Sequence, residues 1–394
     1  MKLSALLLAL VLTVVSCAES VYIGKTKKAR RQFENGKYDK ALAWYQKQNP
    51  PGRDRLLYLM DEALILHTMG RYQDSIKAFS QAIRLSEEMD HAQPLSKTTS
   101  ILANDNIIPY KGEKYERLLM QVFQVINYLG LGQNQEALVE VRRINTKFRD
   151  PNAFSLYLSA LVWETQNLFN DAYIDYKKAY RIMPSFPNLP QDLLRNSRLL
   201  GFQQDYNQWK KTFKEPEKQK NSRDGDVVFL IEQGTVPRKR STEESFALQV
   251  IPIPYYPNQL EKPTQATVYA KREEMAQSEI LYRIDEAAKA TLADEKPAII
   301  ARAIARLAAK EAGAVVVGQQ VDQNLGILLG ILVLATNQAD LRSWLTLPQS
   351  LQIARFPLPA GTYDLKLLWP GGAQEFKQVQ IKTGQKTFLT QRCF

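Results

Sequence analysis

Asn167-Leu168-Phe169-Asn170-Asp171-Ala172-Tyr173-Ile174-Asp175-Tyr176-Lys177-Lys178-Ala179-Tyr180-Arg181-Ile182-Met183-Pro184 decides how the first half of this chain is read. Phe169, Ala172, Tyr176 and Ala179 recur at three- and four-residue steps, which places them on one face of a helix, and Pro184 marks the exit from it. The same order occurs upstream. Gly70-Arg71-Tyr72, Ser75, Phe79 and Ala82 follow Gly36-Lys37-Tyr38, Ala41 and Tyr45 at an offset of 34 residues, and Gly132 with Ala137 precedes the Asn167 copy by 35. Self-similarity at such a period signals stacked units, none of which can bury its apolar face alone.

Each copy has a small residue where two antiparallel helices can approach and an aromatic that fills the gap beside it. With Ala160 on the first helix of the last copy, this order resembles the tetratricopeptide repeat (TPR) pattern, which implies an α-solenoid of helix pairs. Between the second and third copies, Ser86 to Lys114 carries Pro94, a Ser/Thr run at 96–100, Pro109 and Gly112, and reads as a long irregular connection over the concave side. Leu118, Val122, Val125 and Leu129 then predict a helix with one buried face. Solenoids bind partners on their extended concave surface. Alignment to the repeat pattern directs Arg30, Phe33, Met60, His67, Tyr157 and Glu164 there, and these are the expected partner-binding residues.

Ahead of the repeats, Lys2, the apolar run Leu3–Val15 and Ser16-Cys17 compose a secretory signal that ends in a cysteine. The run is shorter than the roughly 20 apolar residues a membrane helix needs. Residues 1–16 are therefore expected to be cleaved as a lipoprotein signal peptide, leaving Cys17 to carry lipid, and multiple acyl chains would anchor it stably. Ala18 resembles the residue found at this position in lipoproteins sorted to the outer membrane. The formal charge of +11 is concentrated toward the front: residues 18–220 hold 31 basic and 23 acidic side chains, against 20 and 18 in residues 221–394. Lys25, Lys27, Lys28, Arg30 and Arg31 lie just beyond the anchor, where cations add about 1 kcal/mol each against anionic headgroups. An exported, anchored chain seldom meets nucleic acid, so no nucleic-acid partner is expected. With Cys17 committed to lipid, Cys393 is left as an incidental thiol. His67 and His91 alone supply no multi-His or multi-Cys metal site, and no metal or cofactor is expected.

Lys211–Gly225, in which Lys and Glu alternate around Pro216, reads as a linker between a helical repeat domain at 17–210 and an α+β domain at 226–394. Val227–Ile231 is a short apolar run suited to a buried strand, and Phe246–Ile251 and Thr267–Ala270 are further candidates. Pro252, Pro254 and Pro257 argue against ladder pairing and leave Ile251–Pro257 as an edge or extended loop. From Ile284 to Gly313 the pattern is helical: Pro297 suits a helix start, and Ile299, Ile300, Ala303, Ile304, Leu307 and Ala308 form an apolar stripe opposite Arg302, Arg306 and Lys310. Gly326–Ala335 is too short to cross a membrane and reads as a buried helix. Ala339–Trp344 packs charge beside an aromatic, with Asp340 and Arg342 positioned to pair and Trp344 to anchor a turn. Alternation at Leu351, Ile353 and Phe356, then Gly361–Leu367, Phe376–Ile381 and Phe388, predicts an antiparallel β-sheet with terminal hairpins.

Pro109–Glu116, Asn127-Tyr128-Leu129, Glu136–Arg143 and Ala339–Pro348 together resemble one family, TPR-bearing bacterial outer-membrane lipoproteins of about this length. The resemblance implies a periplasm-facing location at the outer membrane and carries no activity to transfer. The function expected is a lipid-anchored cell-envelope scaffold. Its repeats would bind envelope protein partners, its β domain would contact a second partner or the cell wall, and the membrane would be reached through the lipid anchor. No catalytic residue is assigned, since neither histidine has a motif partner and no Gly-x-Ser-x-Gly elbow occurs. The alternative is an envelope enzyme or lipid-handling protein with its site between the C-terminal sheet and the apolar helix 326–335, which a deep apolar pocket beside Asp340 and Arg342 would favour.

Overall fold

Helices follow one another in antiparallel pairs through the first half of the computed structural model, which describes residues 21–91, 108–214, 223–246, 249–257, 262–320 and 338–394. Five pairs are described: α1 (Val21–Glu34) with α2 (Tyr38–Gln46), α3 (Arg55–Thr68) with α4 (Tyr72–His91), α5 (Lys114–Gly130) with α6 (Asn134–Lys147), α7 (Ala153–Thr165) with α8 (Phe169–Ile182), and α9 (Leu189–Leu199) with α10 (Gln203–Phe213). Every hairpin turns on one residue at positive φ: Gly36, Gly70, Gly132, Asn167 and Gly201, between 58° and 71°. A side chain with a Cβ strains there, and Asn is the residue that best tolerates it after glycine. Five residues beyond the turn, Ala41, Ser75, Ala137 and Ala172 are fully buried where the paired helices touch. Nine beyond, Tyr45, Phe79, Val141 and Tyr176 are likewise buried.

The fifth pair keeps the 34-residue offset from Asn167 to Gly201 but not the chemistry. Tyr206 takes the place of the small residue, and α10 buries no residue fully. It holds on through Trp209 and Phe213 against Tyr180, with ring centroids 5.4 and 5.5 Å away. The connection expected from Ser86 onward begins later than its composition suggested. Helix α4 continues to His91, and buried Ser86 donates its hydroxyl to the Lys111 carbonyl at 2.9 Å.

The second half is α+β. Strands β1 (Asp224–Gln233), β6 (Glu279–Arg283), β7 (Ser350–Pro359) and β10 (Lys386–Cys393) form a sheet in the order β10-β1-β7-β6, antiparallel except for the β1–β10 pair. A second, wholly antiparallel sheet runs β5 (Glu273–Gln277), β4 (Thr267–Ala270), β8 (Gly361–Trp369), β9 (Gly372–Ile381). Strands β2 (Arg240–Phe246) and β3 (Gln249–Tyr255) make a two-stranded ribbon, so the expectation that prolines would prevent pairing is corrected. Pro252 and Pro254 share one parity, and alternate backbone groups of a strand point away from its single partner. Helix α11 (Ile284–Gln320) holds Pro297 in its interior rather than at its start. Its stripe is also narrower than expected: Ala303 packs with Ile251 and Ile253 of β3, whereas Ile304 is exposed and Arg306 is buried. The helix expected at 326–335, the expected signal peptide and Cys17 lie outside the described residues.

Alternation along β1 and β7 builds two cores. Val227, Phe229, Ile231, Ala354 and Phe356 face the second sheet, against Val268, Leu365, Leu367 and Ile381. Val228, Leu230, Leu351 and Ile353 face the other way and join one continuous apolar cluster with the repeat helices. Cys393 is buried in the first of these cores, and burial pushes its thiol up to about 12, which makes it inert.

If the small residue sets how closely the helix pairs approach, Ala172→Trp overpacks the contact between α7 and α8. It should lower stability by about 1–3 kcal/mol in a denaturant titration, and an unchanged midpoint would contradict the repeat register.

Candidate functional site

The inner face of the repeats is covered by the chain's own second half. A strap between α11 and β7 runs across it, and Leu341–Pro348 is buried throughout. Trp344 packs edge-on against both Phe79 of α4 and Phe123 of α5, at 5.8 and 5.9 Å between ring centroids, while those two rings stack on each other. Its backbone N–H donates to Glu116 Oε1 at 2.7 Å, and its indole N–H donates to Thr346 Oγ1 at 3.0 Å. The Thr346 hydroxyl in turn donates to Asp61 at 2.8 Å, where Tyr45 (2.8 Å) and Tyr22 also donate. Arg342 pairs with Asp340 at 2.7 Å as its sequence spacing suggested, and it also reaches across to Asp54 at 3.3 Å.

The six expected partner-binding residues all lie on this covered face or in the packing behind it, none more than 8% exposed. The expectation that they face an outside partner is corrected accordingly. Phe33 packs edge-on against Phe394 at 5.3 Å, with Arg392 at 5.8 Å from its ring. Met60 is part of the apolar cluster. Arg30 reaches Glu34 at 3.4 Å, and its guanidinium makes no hydrogen bond among the described residues. His67 is held at both ring nitrogens, Nδ1 to Asn127 Oδ1 at 2.6 Å and Nε2 to Glu232 Oε1 of β1 at 2.5 Å. Burial alone would pull the imidazolium pKa down, but the Glu232 carboxylate and the two hydrogen bonds outweigh it and leave His67 above its ordinary value. Burial likewise pushes Glu232 upward, and His67 with Arg392 holds it below the usual carboxylate range.

Tyr157 and Glu164 of α7 belong to a second buried network. Arg355 of β7 bonds Asp226 of β1 through Nε (3.0 Å) and Nη2 (2.6 Å), while its Nη1 bonds Asp192 of α9 (2.8 Å) and the Tyr157 hydroxyl (2.6 Å). Lys386 of β10 meets Glu164 at 2.6 Å and Asp226 at 3.2 Å. Arg195 meets Glu164 at 2.5 Å and Asp192 at 2.8 Å. Three cations thus face three carboxylates. Burial would raise the Glu164 carboxyl, but Lys386, Arg195 and Arg355 hold it well below its ordinary range. Sequence reasoning missed Arg355, Asp192, Asp226, Glu232 and Lys386. The signal available was Glu232 closing an apolar strand and Arg355 interrupting another, since a charge on a buried element requires a partner.

Two cavities flank the covered face. One, about 190 Å³, lies beside Asp340 and is lined by Tyr110, Glu113, Lys239, Glu295 and Arg302 among others. It is small and charged among the described residues, and the segment 326–335 expected to wall the alternative site lies outside them. Lys239 is buried there against Glu113, and the burial of Glu116, reinforced by Glu113, pushes its carboxyl up to about 7. The other is a groove of about 800 Å³ between α4, α5, the α6–α7 turn and α11. Ile83, Leu118, Met120 and Phe148 contribute its apolar side, and Tyr115 and Tyr282 its aromatic side. Gln121 Oε1, on one of its lining residues, is buried without a hydrogen-bond partner among the described residues. Among the described residues no group of His, Cys, Asp and Glu could hold a metal ion, and no helix is long and apolar enough to cross a membrane.

No family model matches the chain, and no curated protein matches it. Among solved structures, MamA from Desulfovibrio magneticus RS-1 is similar at 15% identity with a TM-score of 0.34, over 48% of this chain and 92% of that one. A tetratricopeptide repeat protein from Parabacteroides merdae is similar at 12% identity with a TM-score of 0.35, over 49% and 67%. At such scores the repeat architecture rests on the helix pairs of this chain itself.

Removing Arg355 leaves Asp192 and Asp226 buried without their shared cation. Arg355→Ala should cost about 3–5 kcal/mol in denaturant unfolding, and a loss below about 1 kcal/mol would show that the network is dispensable. His67 has a folded pKa above its unfolded value of about 6.5, so its contribution is complete below that pH and is lost as pH rises through the folded value. Stability followed by thermal melting should fall over that window, and His67→Gln should flatten the fall; an unaltered profile in the variant would remove His67 as its source.

Proposed function

We propose that this chain is a lipid-anchored scaffold of the outer membrane, facing the periplasm, whose repeats hold its own β half in place and whose remaining groove takes an extended segment of an envelope protein. The anchor reading rests on Lys2, the apolar run, Ser16 and Cys17. The scaffold reading rests on a helical repeat array whose inner charges are already neutralised by the second half, which turns partner contact toward other surfaces.

One observation carries the choice of groove. Gln121 Oε1, an acceptor on its lining, is desolvated and has no hydrogen-bond partner among the described residues, beside apolar and aromatic side chains. A buried polar atom left unpaired costs on the order of 1–3 kcal/mol. A peptide backbone supplies one N–H per residue and would satisfy the Gln121 acceptor, while its side chains would cover Ile83, Leu118 and Phe148. Lys114 and Arg149 stand exposed on the rim, where they add charge selection without being buried.

In-cell photocrosslinking tests the reading. A photoreactive side chain at Arg149 should give one discrete adduct, the same side chain at exposed Ile174 of α8 should not, and Cys17→Ser should abolish the adduct as the protein leaves the membrane fraction. Equal adducts from both positions, or an adduct indifferent to Cys17, would overturn it.

A further inference from the structure

Helix α1 presents a cationic face that the second half leaves uncovered. Lys27, Lys28 and Arg31 of α1, with Lys37 and Lys40 from the turn and start of α2, ring a shallow concavity of about 440 Å³ whose other lining residues are Gly24, Gln32, Asn35. All five cations are exposed, and none makes an ion pair among the described residues. Among the described residues, two carboxylates lie near this face. Glu34 is engaged by Arg30 on the buried side, and exposed Asp39 sits outside the concavity. Packing explains why the cations gather: Tyr22, Ile23, Thr26, Ala29, Arg30 and Phe33 occupy the buried side of the same helix, so the charged positions between them have one direction left.

From this face we infer that α1 and the α1–α2 turn form a docking surface for anionic phospholipid headgroups, which lays the first repeat flat on the membrane. Charge complementarity is the first support: five cations, one uncompensated carboxylate beside them, and two amides to donate to phosphate oxygens. The second is reach, and it rests on the lipid-anchor reading above. Four Cα steps separate Cys17 from Val21, about 15 Å at most whatever their conformation, and Lys27 and Lys28 lie only about 10 Å further along the helix axis. An acyl chain on Cys17 therefore keeps the patch near the headgroup layer, where the membrane's potential acts within a Debye length of roughly 8 Å. A headgroup array fits better than a single small anion, because the charges are spread over two elements and converge on no buried group. A cation near an anionic leaflet contributes roughly fivefold in partitioning, converted from about 1 kcal/mol.

The test uses the mature chain with Cys17→Ser, so that no acyl chain contributes, in sedimentation with vesicles. Expected is binding to phosphatidylglycerol–phosphatidylethanolamine vesicles that weakens with salt, with little binding to phosphatidylcholine–phosphatidylethanolamine vesicles. Lys27→Glu/Lys28→Glu/Arg31→Glu should lower partitioning by roughly 100-fold or more at an unchanged melting temperature, and single Lys→Gln changes should each lower it roughly fivefold. Equal binding to both vesicle types, or a charge-reversed variant that folds and binds as before, would overturn the inference, as would full displacement by soluble glycerol phosphate at the ionic strength of an inert salt control. Acyl labelling of the wild-type chain in cells separates the two readings. Label absent with anionic vesicle binding intact overturns the anchor and supports the patch, while label present without vesicle preference overturns the patch alone.

Discussion

Arg355 stands between two carboxylates that reach it from different halves of the chain, Asp192 on a repeat helix and Asp226 on the central strand of the sheet. A guanidinium with its bonds filled on both sides fixes orientation as well as distance, because its planar fork accepts carboxylates only in a few directions. Its neighbours Lys386, Glu164 and Arg195 leave no charge of this cluster uncompensated. Desolvating so many charges is costly, and replacing them by apolar residues could be neutral in stability. What the network supplies is registry: the sheet can sit on the repeats in one way without stranding a buried ion.

The same logic runs along the rest of the interface. His67 joins Asn127 of α5 to Glu232 of β1, and Asp61 collects hydroxyls from Tyr22, Tyr45 and Thr346, drawing the first repeat, the second repeat and the strap into one set of bonds. Between these polar points Trp344 fills the space bounded by Phe79 and Phe123. A helical array that elsewhere would offer this surface to another molecule is here completed within the chain.

Much of the architecture was legible from spacing. Gly36, Gly70, Gly132 and Asn167 each precede a small residue by five positions and a core residue by nine, and steric necessity at a positive-φ turn and at a tight helix crossing leaves few substitutes. The fifth pair escaped because Gly201 keeps the turn while Tyr206 abandons the small residue. Pro252 and Pro254 misled because a proline's missing N–H matters only when it points at a neighbouring strand, and parity within a ribbon follows from pairing. The six candidate site residues are chosen by the direction their helices face. Arg30, Phe33, Met60, His67, Tyr157 and Glu164 lie on the covered face or in the packing behind it, but periodicity says which way a helix faces and nothing about what lies opposite.

Local pattern by itself determined the helix pairs, the strands that alternate on two faces and the pairing of Asp340 with Arg342, since each follows from interactions a few residues apart or from a fixed repeat. Tertiary structure alone decided that the second half fills the inner face, that Gln121 is buried beside one groove, and that Glu232 and Arg355 become interior ions. Those outcomes join residues as far apart in the chain as Phe33 and Phe394. The physical reason is that a charge in a strand announces its need for a partner, while the identity of that partner depends on where the whole chain comes to rest.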